Sequence, residues 1–234
     1  MRDDAVTSRV GEVDEVDEAR LLSRWTALTG EQGRAAGIDL LARYAQPHRR
    51  YHTLRHLTEV LDVVDELAGF ADDADAVRLA AWFHDAVYEV VIGGGGGGGG
   101  GTDQVSNEEA SARLAESVLA ELKVAEARAC EVARLIRMTE LHSVDADDRN
   151  GAVLSDADLA ILAAGPARYG QYALAVREEY RAVPEDLFRA GRAAVLRGLL
   201  EQPVLFRTPA GRARYEDRAR ENMRAEMSLR LSAP

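Results

Sequence analysis

Residues 49–67 read RRYHTLRHLTEVLDVVDEL, and the reading of this stretch decides the fold. Leu57, Val60, Leu61, Val64 and Leu67 recur at spacings of three and four, the period of a helix with one face against a core. His56 lies on the edge of that stripe, and His52, four residues earlier, projects beside it if the helix extends that far. An imidazole at the rim of an apolar face needs a partner. The stretch therefore predicts a helical domain with a polar site let into its interior.

The same period runs outward in both directions. Upstream, Leu21, Leu22, Trp25 and Leu28 mark one stripe, and Ile38, Leu41 and Tyr44 a second, closed by Pro47. Downstream, Val77, Ala80, Ala81, His84, Val87 and Tyr88 share a face of AVRLAAWFHDAVY. A helix then opens at Ser106 or Asn107, with Glu108 and Glu109 in its first turn as partners of the helix dipole. Another follows through Ala129, Val132, Ala133 and Ile136, with Cys130 expected in the core. A short one carries Leu154, Ile161 and Leu162 inward and stops at Gly165-Pro166, and three more reach the C-terminus. No segment alternates convincingly with period two. The expectation is an all-α bundle of about eight to ten helices, a single domain over residues 13–234 behind a flexible tail at 1–12.

Nine glycines at 93–101 mark a Gly-rich loop insertion at about 91–106, directly after the His84-Asp85 pair. Such a run is a coil without preferred structure. It reads either as a lid over a site or as an insertion that a surface loop tolerates cheaply.

Composition narrows the function. Forty acidic residues against 29 basic ones make the chain a net anion, which argues against nucleic acid and anionic membranes as partners. No run approaches the length of a membrane span, and the N-terminus lacks the apolar core of a signal peptide. The single cysteine, Cys130, excludes an intrachain disulfide and a thiolate metal cage. These features fit a cytoplasmic protein acting on a small molecule, and the apolar content leaves room for a helix-mediated homodimer.

Three helices offer titratable groups to the interior: His56 with His52, His84 with Asp85, and Asp158. Asp158 follows Leu154 by four and precedes Ile161 and Leu162 by three and four, so it is expected to be the buried carboxylate, whereas Asp156 points elsewhere. Two imidazoles and two carboxylates suit one divalent ion of Mn, Fe, Co, Ni, Mg or Zn with open water positions.

The order His, His-Asp, Asp on successive helices resembles the HD superfamily of metal-dependent phosphohydrolases. The resemblance extends through RRYHTLRH, AAWFHDAVYE, NEEASA, LIRMTELH, DADLAILAAG, YGQYALAVREEY and EDRARENMRAE, which together span about residues 20 to 227 and look like one bacterial subfamily of predicted HD phosphohydrolases. It implies His56, His84, Asp85 and Asp158 as ligands and a small phosphorylated metabolite or nucleotide as substrate. Asp85 then serves catalysis as a ligand. In the distantly similar cyclic-nucleotide phosphodiesterases, a Tyr-His-Asn-x-x-His segment supplies a general acid and then a ligand, which would make His52 the acid. Thr53 stands where that segment has Asn, so His52 as a ligand stays open.

Around this set, Arg49 and Arg50 read either as phosphate forks or as surface arginines. His142 reads as a helix C-cap, a further ligand or a substrate contact, and Glu108 as a dipole partner or a contact of metal-bound water. Arg177 reads as a structural ion pair. A di-iron oxygenase and a binding module without turnover are the alternative functions.

Overall fold

The apolar stripe of residues 57–67 is the hub of the fold. The computed structural model describes residues 18–90 and 105–232, with side chains to residue 229. The 1–12 tail and the glycines at 93–101 lie outside the described residues. The described chain forms ten α-helices and no strand: α1 (18–29), α2 (Arg34–Tyr44), α3 (Leu54–Leu67), α4 (Ala74–Phe83), α5 (Asn107–Glu121), α6 (Glu126–Met138), α7 (Arg149–Leu159), α8 (Pro166–Glu179), α9 (Glu185–Glu201) and α10 (Pro209–Ser232).

Local chemistry sets the helix starts. Asp73 accepts from Ala76 N–H at 3.0 Å to open α4, Ser106 accepts from Glu109 N–H at 3.2 Å to open α5, and Asp148 accepts from Gly151 N–H at 2.9 Å to open α7. Gly165 and Pro166 end one element and begin the next, with Pro166 at the first helical position, where its missing N–H costs nothing.

Two apolar clusters organise the packing. The first joins α1 to α7: Leu57, Val60, Leu61 and Val64 of α3 meet Trp82 and Phe83 of α4 and Leu135 and Ile136 of α6. Trp25 packs edge-on against Trp82 and Phe83, with ring centroids 5.3 and 5.7 Å apart, and its indole N–H reaches Gly33 O at 2.7 Å. The second cluster is closed by α8, α9 and α10 over Leu159, Leu162 and Ala163 at the end of α7, with Tyr51 at its border. The polar site lies at the seam between the two.

Several expectations need correction. Ile38 is more than half exposed, although Leu41 and Tyr44 of the same stripe are buried. Cys130 is exposed, because α6 turns its neighbours Val132 and Ala133 inward instead. His84 and Asp85 do not sit within a helix, since α4 ends at Phe83 and His84 is its C-cap. Nor is His52 on a helix: Thr53 is the extended residue before α3. Both departures have the same kind of cause, a long-range side chain that captures backbone groups.

Candidate metal centre

Arg49 terminates α4. Its guanidinium donates to the carbonyls of Asp85 at 2.7 Å, Ala86 at 3.2 Å and His52 at 3.1 Å, groups that an ongoing helix would have paired internally. It is 2% exposed and lies 5.2 and 5.4 Å from the rings of Tyr44 and Tyr88. Arg49 is thus neither a surface residue nor an open phosphate fork: its donors are consumed in holding two site loops together. Arg50 is exposed, and its guanidinium donates to Pro47 O at 2.7 Å and Arg49 O at 3.0 Å.

Glu179 of α8 does the same for the segment before α3. One carboxylate oxygen accepts from the backbone N–H groups of Arg50, Tyr51 and His52 at 2.7, 2.8 and 3.0 Å, which keeps these residues out of the helix. The other accepts from His52 Nδ1 at 2.7 Å and Tyr88 Oη at 3.0 Å. Burial raises the Glu179 pKa, but the His52 hydrogen bond and charge and the backbone donors prevail and bring it down to about 2. The His52 ring lies along Tyr88, centroids 4.2 Å apart, so its orientation is fixed twice.

These braces bring four ligand candidates together. His56 Nε2 is 3.2 Å from His84 Nε2, 3.3 Å from Asp85 Oδ2 and 3.3 Å from Asp158 Oδ1. His84 Nε2 is 3.0 Å from Asp85 Oδ2 and 3.6 Å from Asp158 Oδ1. Donors held about 2.1 Å from one cation are about 3.0–3.4 Å from one another, so four of these five separations are those of neighbouring ligands and the fifth is slightly longer. The tautomer agrees: His84 Nδ1 donates to Ala81 O at 2.8 Å, which leaves the Nε2 lone pair for a metal. His56, His84 and Asp158 form a group that could hold a metal ion, and Asp85 lies beside its two histidines.

The electrostatics are those of buried, mutually compensating charges. Burial disfavours the imidazolium of His84, yet Asp85 and Asp158 outweigh it and hold its pKa well above the usual value. Burial likewise pushes both aspartates up, and the histidines bring them well below the ordinary carboxylate range.

The remaining candidates separate. His142 joins the cluster, with Nε2 3.4 Å from Asp158 Oδ2 and Nδ1 3.2 Å from Ser155 Oγ, and it is held at a positive φ of 48° past the end of α6. Glu108 is half-buried in the first turn of α5, its pKa raised by burial and then by the charges of Asp85 and Glu140. Glu109 points away and pairs with Arg113 and Arg137. Arg177 makes the expected structural pair, with Glu185 at 2.7 Å.

The two aspartates of α7 divide the work differently from the expectation. Asp156 does point away from the histidines, but it is the more buried, with no exposed surface. It accepts from Arg207 N–H at 2.6 Å and from Thr208 N–H and Oγ1 at 2.8 and 2.7 Å, fastening α7 to the approach to α10. Asp158 keeps 17% of its side chain accessible.

Sequence reasoning missed Glu179, although a signal was present. Tyr169, Tyr172, Val176 and Glu179 follow one another at spacings of three, four and three along the buried face of α8. A carboxylate on an apolar stripe demands buried donors, and here they are main-chain amides.

No protein-family model, curated protein or solved structure matches the chain. No helix among the described residues is long and apolar enough to cross a membrane.

Proposed function

We propose that this protein is a cytoplasmic metal-dependent phosphohydrolase of the HD type that cleaves a small phosphate ester. The observation that carries the reading is the convergence of His56, His84 and Asp158, with Asp85 beside the two histidines: imidazole–carboxylate distances are 3.0–3.6 Å, and the His84 tautomer is set for ligation. This mixed N/O set fits one Mn, Fe, Co, Ni, Mg or Zn ion. Such an ion, when bound, supplies Lewis-acid polarisation of a phosphoryl oxygen and a nucleophile at neutral pH.

The chain's own residues supply the rest. His52 has Nδ1 fixed on Glu179, so its Nε2 is the nitrogen left to give a proton to the leaving oxygen. Glu179 holds the ring in that orientation. Thr53, where the phosphodiesterase segment has Asn, sits at the start of α3 with its hydroxyl 3.4 Å from Tyr51 O, so His52 owes its position to Glu179. His142 is the spare imidazole of the cluster, and with no further His beside it one ion is the expected content.

The test is metal analysis of protein purified without chelator, followed by a screen of phosphorylated metabolites with the wild type and His84→Ala. About one divalent ion per chain and a turnover that His84→Ala abolishes is the expected result. A metal-loaded protein that turns over neither phosphomonoesters nor phosphodiesters would refute the proposal, and iron near two per chain would favour oxygenase chemistry instead.

A further inference from the structure

A cleft of about 360 Å³ adjoins the ligand cluster, and its wall includes His56 and Asp158. Its size falls in the range of small-molecule sites, about 300–1,000 Å³. The chain as a whole is strongly anionic, yet the lining of this cleft includes three arginines, Arg168, Arg214 and Arg218, against two carboxylate residues, Glu59 and Asp158. Each guanidinium carries five N–H donors, and few of them are taken. Arg168 uses a single nitrogen to reach both oxygens of Glu59, at 3.0 and 2.8 Å. Arg214 pairs through one nitrogen with Glu66, and Arg218 has no partner among the described residues.

The lining includes the aliphatic Val60, Val63 and Ile161; along α3, Val60 and Val63 lie about one and two turns past His56, on the way to Glu66, the partner of Arg214. Tyr51, also in the wall, is only 7% exposed, and its hydroxyl has no hydrogen-bond partner. A buried hydroxyl in that state is destabilising until something supplies an acceptor, and such groups gather at ligand sites.

We propose that this cleft receives the organic part of the substrate, and that this part is a compact, largely apolar body ending in a second anionic group met by Arg214 and Arg218. The inference rests on the phosphohydrolase reading and extends it to a substrate class: phosphate esters with a distal carboxylate or second phosphate. An ester of a neutral alcohol leaves the arginine end empty.

Two non-hydrolysable probes, phenylphosphonate and 4-carboxyphenylphosphonate, differ only in the distal charge. Calorimetric titration into the full-length, metal-loaded protein should show the carboxylated probe binding about fivefold to tenfold tighter, the scale of charge-assisted contacts at a partly open site. Arg214→Ala with Arg218→Ala should bring the two affinities together, and Arg218→Lys should restore part of the preference. Arg214 and Arg218 are exposed, so these variants fold. Equal affinity of the wild type for both probes, or a preference that survives the double variant, overturns the proposal.

Turnover of phenyl phosphate and 4-carboxyphenyl phosphate separates the two readings. Preference in binding without turnover of either ester retains the cleft and rejects the hydrolase. Turnover without preference does the reverse.

Discussion

Replacing Glu179 with glutamine tests the brace on which the site rests. The carboxylate accepts five hydrogen bonds, three from backbone amides and one each from His52 and Tyr88, and its side chain has no exposed surface. Glutamine keeps one acceptor oxygen and turns its NH₂ towards groups that are themselves donors. If the oxygen stays on the three amides, His52 must reverse its tautomer or lose its partner. The magnitude follows from linkage: a carboxylate with an ordinary pKa of 4.5 brought to about 2 in the folded state contributes about 3 kcal/mol. Because the folded pKa is the lower one, this stability is fully present above 4.5 and is lost as the pH falls towards 2. Urea unfolding of the wild type and Glu179→Gln should therefore differ by about 3 kcal/mol near pH 6 and converge as the pH approaches 2. Comparison with the variant cancels the other acidic groups that titrate in the same window. Turnover should fall by roughly 10²–10⁴, the usual worth of a positioned general acid, and the His52 tautomer should change by NMR. Unfolding free energies equal within about 0.5 kcal/mol at pH 6, or parallel pH profiles down to pH 2, would refute the reasoning.

Other substitutions address separate parts of the structure. Arg49→Ala should destabilise by about 3–5 kcal/mol in chemical denaturation, and Arg49→Lys should fail to rescue, because one ammonium cannot span the carbonyls of His52, Asp85 and Ala86. Asp156→Ala should lower stability by about 2–4 kcal/mol with metal content unchanged, whereas Asp158→Ala should lose metal, as measured by elemental analysis after gel filtration. Gly37→Ala should lower the melting temperature despite the higher helix propensity of alanine: the added Cβ falls 2.9 Å from Leu22 Cδ1 and against the fully buried Trp25, a clash worth about 1–3 kcal/mol against a gain of about 1.

The fold was legible wherever a helix buries a continuous apolar stripe. Leu57, Val60, Leu61 and Val64 repeat at helical spacing, and all four are buried as that spacing requires. The ligand candidates were legible for a related reason, since His56 and Asp158 interrupt apolar faces and polar groups there need partners. The line between helix and loop was not legible. Nothing in the sequence of AVRLAAWFHDAVY ends the helix at Phe83, because the agent that receives the freed carbonyls is Arg49, 36 residues away from Asp85. Asp156 was misjudged for the same reason, as its donors lie 51 and 52 residues further on.

Periodicity reports which face a residue occupies, but not which backbone groups a distant side chain will take. That distinction bears on how the site is made. His52, His84, Asp85 and His142 all lie just outside helices, and only His56 and Asp158 are held within one. Loops alone would place the first four loosely. Here Arg49 ties the turn after α4 to the segment before α3, and Glu179 ties that same segment to α8. Both braces are buried side chains bonded to main chain, so they set backbone position, and they leave the side chains of His56, His84, Asp85 and Asp158 without a bond to either brace. The irregular ends of the helices thereby acquire the rigidity that a multidentate site needs, at the seam where the two apolar clusters meet.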